Sequence, residues 1–357
     1  MATTPNYTIA TGDFIAEWMD DEGINAAELA RRLGVTRKHV SELLSGKAPL
    51  SHPLALALER VTQVPARIWN QYESGYRNDL ARIREEEELE AQYEKAKEFP
   101  LTYLRRQGFI TASAKDHSET VRQLLTLLGV ANLDAFKATW EKGSVAYRRS
   151  AVGREDVPAL AVWLALAERH HDGLNELPNF SRSGLEALIP RLRALTCGEP
   201  MAAIGEAITE LRETGVVVCL IPAIPGLGIH GATRWLNGRP IIQLSLLWKS
   251  DDQLWFTLFH ELGHVLLHGD KKLYIHGEQN EAEREANSYA SNILIPPEFA
   301  SRLPRRRNIP AVKTLAKELG IAPSIVLARV HRETRDYGWG HSLKQKVEFP
   351  WRAAQAG

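Results

Sequence analysis

The stretch FTLFHELGHVLLHGD, residues 256–270, sets two histidines four apart, with a glutamate directly after the first, inside an otherwise apolar run. On a helix, residues i and i+4 share a face. His260 and His264 can therefore aim both imidazoles at one ion while Glu261, one step round, reaches a water bound to it. This is the H-E-x-x-H arrangement. The flanking runs QLWFTLF and VLL suit a buried helix, and burying His-Glu-His without a ligand carries large desolvation costs that an ion would offset.

A catalytic zinc site takes three protein ligands and a water, so a third residue is required. Downstream, NEAEREANSYASNILIPP, residues 280–297, reads as a second helix whose acidic side includes Glu281 and Glu285 at i and i+4. Either brings a carboxylate to the ion. His268 continues the series from His264, but it lies two turns from His260 on a rigid helix that advances about 5.4 Å per turn. That is too far to share one tetrahedral ion, so His268 is expected to be supporting or structural.

HELGHVLLH followed by EREANSYASNILIPP, with GATRWLNGRPIIQLS upstream, resembles the ImmA/IrrE zinc metallopeptidases over roughly residues 195–335. The resemblance implies His260 and His264 as zinc ligands, Glu285 of the EAN triplet as the third, with Glu281 as the alternative, and Glu261 as general base. Amide hydrolysis follows from those roles: zinc activates a water and polarises the scissile carbonyl, and Glu261 moves the proton to the leaving amine. His230, Tyr274, His276 and Tyr289 are chemically able to stabilise an oxyanion, and sequence does not choose among them. The strand RPIIQLS, with Pro240 near its start, is expected at a sheet edge, where an extended peptide substrate would add as a strand.

Near the N-terminus, NAAELARRLGVTRKHVSELLSGK, residues 25–47, turns Leu29, Leu33, Val35, Val40 and Leu43 inward, with small Ala30 and a turn at Gly34. That spacing fits a helix-turn-helix. Thr36 is placed to cap the second helix. Its outer face presents Arg37, Lys38, Ser41 and Glu42, with Lys47 extending the basic edge, to phosphates and bases of double-stranded DNA. With the helical sequence that follows it, this region resembles the XRE-type, HigA-like repressor and antitoxin module.

The expected fold class is multi-domain and mostly α: an all-α helix-turn-helix domain over 1–76 and an α+β zincin-like metallopeptidase domain over 195–335. Between them lie a charged helical linker, 77–99, without sustained heptads, and a helical region, 100–194, of unreadable role. The adjacent His170 and His171 point in different directions on a helix and are read as surface residues. A C-terminal tail spans 336–357. Within 300–335 the pattern L-A-x-x-L-G-I repeats half of a helix-turn-helix, but Ile325, Val326 and Leu327 leave little polar face, so it is expected to pack on the peptidase core.

Lysine plus arginine and aspartate plus glutamate number 44 each, so attraction to nucleic acid or membrane must come from local patches. Cys197 and Cys219 show no C-x-x-C spacing, which suits a reducing compartment. The most apolar run, GVVVCLIPAIPGLGI at 215–229, is broken by prolines and glycines. A cytoplasmic protein without membrane attachment is expected. The combined expectation is a DNA-binding transcription regulator carrying a zinc endopeptidase that cleaves a repressor or other regulator; a homodimer suits the two-fold operators such modules bind. The competing expectation is a HigA-like repressor or antitoxin whose zinc domain is a sensor or scaffold.

Overall fold

The computed structural model describes residues 8–143, 156–169, 177–269, 273–275 and 280–347. His170, His171 and His276 lie outside the described residues. The chain divides into two compact units, residues 1–93 with 117–119, and residues 94–116 with 120–357. None of the described helices is long and apolar enough to cross a membrane.

The first unit packs helices α1 (Thr11–Asp21), α2 (Ala26–Leu33), α3 (Arg37–Leu44) and α4 (His52–Thr62) against the start of α5 (Ala66–Ala96). Ile15, Leu29, Ala30, Val40, Leu43, Leu58 and Trp69 form its core, with Leu33 and Val35 partly buried against it. Gly34 ends α2 at φ 70°, where its N–H reaches the carbonyls of Ala30 and Arg31, a left-handed cap that costs glycine little. At 31 residues α5 is about 46 Å long, and it runs without a break through the expected border at 76/77.

In the second unit, α6 (Leu101–Arg106), α7 (His117–Leu128, its first turn in the other unit) and α8 (Leu133–Gly143) precede α9 (Val157–Arg169), α10 (Arg182–Leu195) and α11 (Pro200–Glu213). Four strands follow: β1 (Val217–Leu220), β2 (Gly231–Leu236), β3 (Arg239–Leu244) and β4 (Tyr274–Ile275), in the order β1-β3-β2-β4. The β2–β3 hairpin turns on Asn237 and Gly238, both at positive φ, as a two-residue Asn-Gly turn requires. RPIIQLS is not an edge strand. β3 is parallel to β1 and antiparallel to β2, because the Asn-Gly turn folds residues 231–236 back against its second side.

Alternation along β3 sends Ile242 and Leu244 into the main core with α12 (Asp251–Leu267), and Ile241 and Gln243 to the other face. There α9 covers the sheet. Gln243 Nε2 donates to the Trp163 carbonyl at 2.5 Å, Trp163 Nε1 to the Ile221 carbonyl at 3.4 Å, and Arg234 to the Leu164 carbonyl at 2.9 Å. Residues 159–167 are buried all round, so part of the 100–194 region is a layer of the second unit's sheet packing. Tyr103, also from that region, donates to the Pro222 carbonyl at 2.6 Å.

After α13 (Glu281–Leu294) come α14 (Ile309–Leu319) and α15 (Pro323–Thr334). Their junction repeats that of α2 and α3: Gly320 sits at φ 65°, and Ile321 N–H reaches the Ala316 carbonyl at 3.1 Å as Val35 N–H reaches Ala30 at 3.0 Å. Here Ser324, Ile325, Val326 and Leu327 are buried, and the pair packs on the core as the sequence pattern implied. The expected tail contributes to the same unit: Lys344 Nζ reaches Asp252 at 2.7 Å, Gln345 N–H reaches Asp251 at 2.9 Å, and Val347 N–H reaches the Lys249 carbonyl at 2.9 Å, pinning the start of α12.

Candidate metal centre and nucleic-acid interface

α12 is buried on nearly all sides, from Leu254 to Leu266, which is why its sequence there is apolar apart from Thr257, His260, Glu261 and His264. His260, Glu261 and His264 have no solvent exposure and Glu283 has 2%. The side chains of His260, His264 and Glu283 each offer a ligand atom within 4.8 Å of the others. His260 Nε2 and His264 Nε2 lie 3.1 Å apart. Glu283 presents Oε2 to His260 Nε2 at 3.2 Å and Oε1 to His264 Nε2 at 2.8 Å.

The carboxylate that converges with the two imidazoles is that of Glu283; Glu285 and Glu281, the expected third ligands, lie outside this cluster. Glu283 leads the inward stripe of α13, followed by Ala286, Ala290 and Leu294, at the three- and four-residue spacing of one helical face. Glu281 and Glu285 are exposed. The signal was present in the sequence: extending the small and apolar stripe of α13 back by one turn lands on Glu283. Close approach of α12 and α13 is possible because residue 263 is glycine; a Cβ there would lie 3.1 Å from the Tyr289 ring and 3.3 Å from Ala286 Cα.

Glu285 acts one layer out. His264 Nδ1 is 3.0 Å from His268 Nδ1, and His268 Nε2 is 2.8 Å from Glu285 Oε2. His268 thus supports His264 from behind, while His260 Nδ1 meets Asn287 Oδ1 at 3.2 Å. Such outer partners fix ring orientation and direct the opposite nitrogens inward. Tyr274 stacks on His264 at 4.5 Å between ring centroids, and its hydroxyl donates to the His268 carbonyl at 3.2 Å.

Glu261 points across to β2. Thr233 Oγ1 donates to Glu261 Oε2 at 2.7 Å, and a Cβ on Gly231 would lie 2.5 Å from Glu261 Oε1. Burial pushes the Glu261 carboxyl up to about 8 against the pull of His260 and Thr233. Burial also works against ionised Glu283, but the hydrogen bonds from His260 and His264 outweigh it and hold that carboxyl near 2. Burial depresses His264; it opposes protonation of His260 too, but Glu283 and Glu261 prevail there and raise it. An ionised carboxylate with two imidazoles converging on one point is a donor set that fits a tetrahedral divalent ion, zinc above all, with one position left open.

Of the other oxyanion candidates, His230 Nε2 accepts from Trp248 Nε1 at 3.2 Å. Tyr289 lies beside Gly263, its hydroxyl pushed up to about 12 by burial and then by Glu186. No described distance puts either on the His-His-Glu cluster.

In the first unit Thr36 caps α3 by accepting from His39 N–H at 3.2 Å. Thr36, Arg37, Lys38, Ser41 and Lys47 are all exposed. Among the described residues, Lys38 pairs with Glu42 at 3.7 Å, a weak surface interaction. The end of α3 is braced from beneath. Arg77 Nη1 donates to the Gly46 carbonyl at 3.1 Å and Arg77 Nε pairs with Glu73 at 2.7 Å, while Thr11 donates to Glu73 at 2.6 Å.

Two stretches of the chain match known families. Residues 212–331 match the IrrE N-terminal-like domain, a peptidase family, and residues 15–69 match a helix-turn-helix family. The first match spans β1 to α15 and contains every residue of the His-His-Glu cluster; the second spans α1 to the start of α5. No curated protein matches the chain.

Proposed function

We propose that this chain, which joins a helix-turn-helix domain to an IrrE N-terminal-like domain, is a DNA-binding regulator whose second unit is a zinc endopeptidase acting on a protein, with a cognate repressor as its substrate. The observation that carries this is the convergence of buried His260, His264 and Glu283 beside Glu261. Zinc bound there would supply Lewis acidity, lowering the pKa of a coordinated water and polarising the scissile carbonyl.

The chain's own residues supply the rest. His260, His264 and ionised Glu283 hold the ion, with Asn287, His268 and Glu285 fixing the imidazoles. Glu261 takes the proton of the attacking water and delivers it to the leaving amine. Thr233 orients that carboxylate through Oε2, leaving Oε1 on the Gly231 side. The complete burial of the cluster also suits the second reading, in which the domain is a closed zinc sensor of a HigA-like repressor, since structural zinc sites are closed.

Glu261→Gln separates the two. Elemental mass spectrometry should find about one zinc per chain in both wild type and variant, and cleavage of a co-expressed repressor should be lost only in the variant. Equal behaviour of the two proteins in cleavage and repression would establish the sensor instead; a wild type without metal would sink both.

Operator DNA is the proposed partner of Thr36, Arg37, Lys38, Ser41 and Lys47, bound by a homodimer. Lys38→Ala should weaken binding to all duplexes alike and reduce the slope of log affinity against log salt by about one. An unchanged slope would remove Lys38 from the interface.

A further inference from the structure

A groove of about 370 Å³ opens between α12, α13 and α15, and the metal chemistry uses none of the residues that line it. We propose that it is a docking subsite for an acidic peptide segment that inserts one bulky apolar side chain. The inference deepens the peptidase reading by naming a substrate class.

The groove lies on the same two helices as the His-His-Glu cluster. Phe256, on one wall, precedes His260 by one turn, with ring centroids 6.5 Å apart. Ser291, on the facing wall, follows by one turn the Asn287 that holds His260. Leu294, Ile325, Ala328 and the ring of Tyr337 complete an apolar lining, which suits a large aliphatic side chain. Gln253 and Ser291 add an amide and a hydroxyl at the wall, able to bond a peptide backbone.

Charge selects the partner. Residues 298–347 carry eleven lysines and arginines against four aspartates and glutamates, in a chain where the two classes balance. Arg329 and Arg332 both line the groove. Arg329 is paired with Glu333 at 2.7 Å, whereas Arg332 is exposed and makes no ion pair with a described carboxylate. Of the remaining acids, Glu318 is engaged by Arg302 and Asp336 by Arg307. The carboxylate in the groove, Asp252, is neutralised by Lys344 at 2.7 Å. An apolar slot with surplus guanidinium at its margin is the chemistry that recognises acidic motifs.

The test is fluorescence anisotropy of a labelled Glu-Glu-Leu-Glu-Glu peptide with the full chain, zinc-loaded and carrying Glu261→Gln so that nothing is cut. Saturable, salt-sensitive binding is expected. It should weaken about tenfold or more when the leucine becomes alanine, when the glutamates become glutamines, and in Ala328→Trp and Arg332→Glu proteins. Lys38→Ala should leave it unchanged. Arg332→Glu is at an exposed position and serves if Ala328→Trp fails to fold by thermal melting.

No saturable binding, equal binding of the leucine and alanine peptides, indifference to Arg332→Glu, or loss of binding in Lys38→Ala would each overturn the proposal. The two readings fail separately. Peptide binding by a wild type that cleaves nothing would leave the groove standing without the peptidase. Protein cleavage without peptide binding would do the reverse.

Discussion

Two positions along a helix turn a side chain through about 200°, and that angle separates Glu283, between two imidazoles, from Glu285, behind His268. The two glutamates should therefore fail differently. Glu283→Ala should abolish stoichiometric zinc, because two histidines alone leave the ion short of a ligand. Glu285→Ala should keep the ion but weaken it by about 10–100-fold, the usual loss for an outer partner. Competition with a chromophoric chelator reads both; equal losses would mean that Glu285 ligates directly. Zinc should also leave wild type as pH falls through the histidine range, since protons compete for the same nitrogens, and raised His260 loses that competition before depressed His264. His260, His264 and Glu261 were legible from their spacing alone. Glu283 is less legible: the resemblance points to Glu285 of the EAN triplet, with Glu281 at i−4 as the alternative, whereas the buried stripe of the same helix runs through Glu283.

At the scale of elements, the pairing of α12 with β2 decides whether Glu261 is aimed. Gly231 leaves the space that the Glu261 carboxylate occupies. Gly231→Ala should force that carboxylate or the strand aside, at about 1–3 kcal/mol by the usual cost of overpacking. Hydrolysis should fall with it while zinc content stays near wild type. Thermal melting beside metal analysis reads this, and an unperturbed activity would mean that Glu261 has room to spare. The helices α2, α3, α12 and α13 could be placed from hydrophobic period and caps, because those signals are local. β2 could have been found from Asn237-Gly238, the strongest short hairpin signal. Once β2 is folded back, RPIIQLS becomes interior and its proline faces Trp235 in the register. The edge assignment failed because one proline says where an N–H is missing, not which neighbours a strand has.

For the molecule as a whole, the twin junctions at Gly34 and Gly320 show how little a helix-turn-helix pattern says about DNA. The same left-handed glycine and the same backbone closure occur in both. Around Gly34 the second helix turns Arg37, Lys38 and Ser41 outward; around Gly320 it turns Ser324, Ile325 and Val326 inward, and Ser324 is spent on Asp251 at 2.5 Å. Packing is written in the shared residues, and function in those that differ.

The reverse face of the sheet has a practical consequence. The family match begins at residue 212, yet α9 lies at 157–169 and closes that face with Trp163 and its neighbours. A fragment cut to 212–331 would carry Val217, Cys219 and Ile241 into water as an apolar sheet surface. It would also free the Cys219 thiol, which burial holds at about 12 in the intact chain, to ionise and oxidise as an ordinary cysteine. Such a fragment should bind hydrophobic dyes and precipitate, and its single cysteine, Cys219, should form a disulfide-linked dimer, whereas the full chain keeps that thiol buried. The stretch that matches the family is thus shorter than the stretch that covers both faces of its sheet.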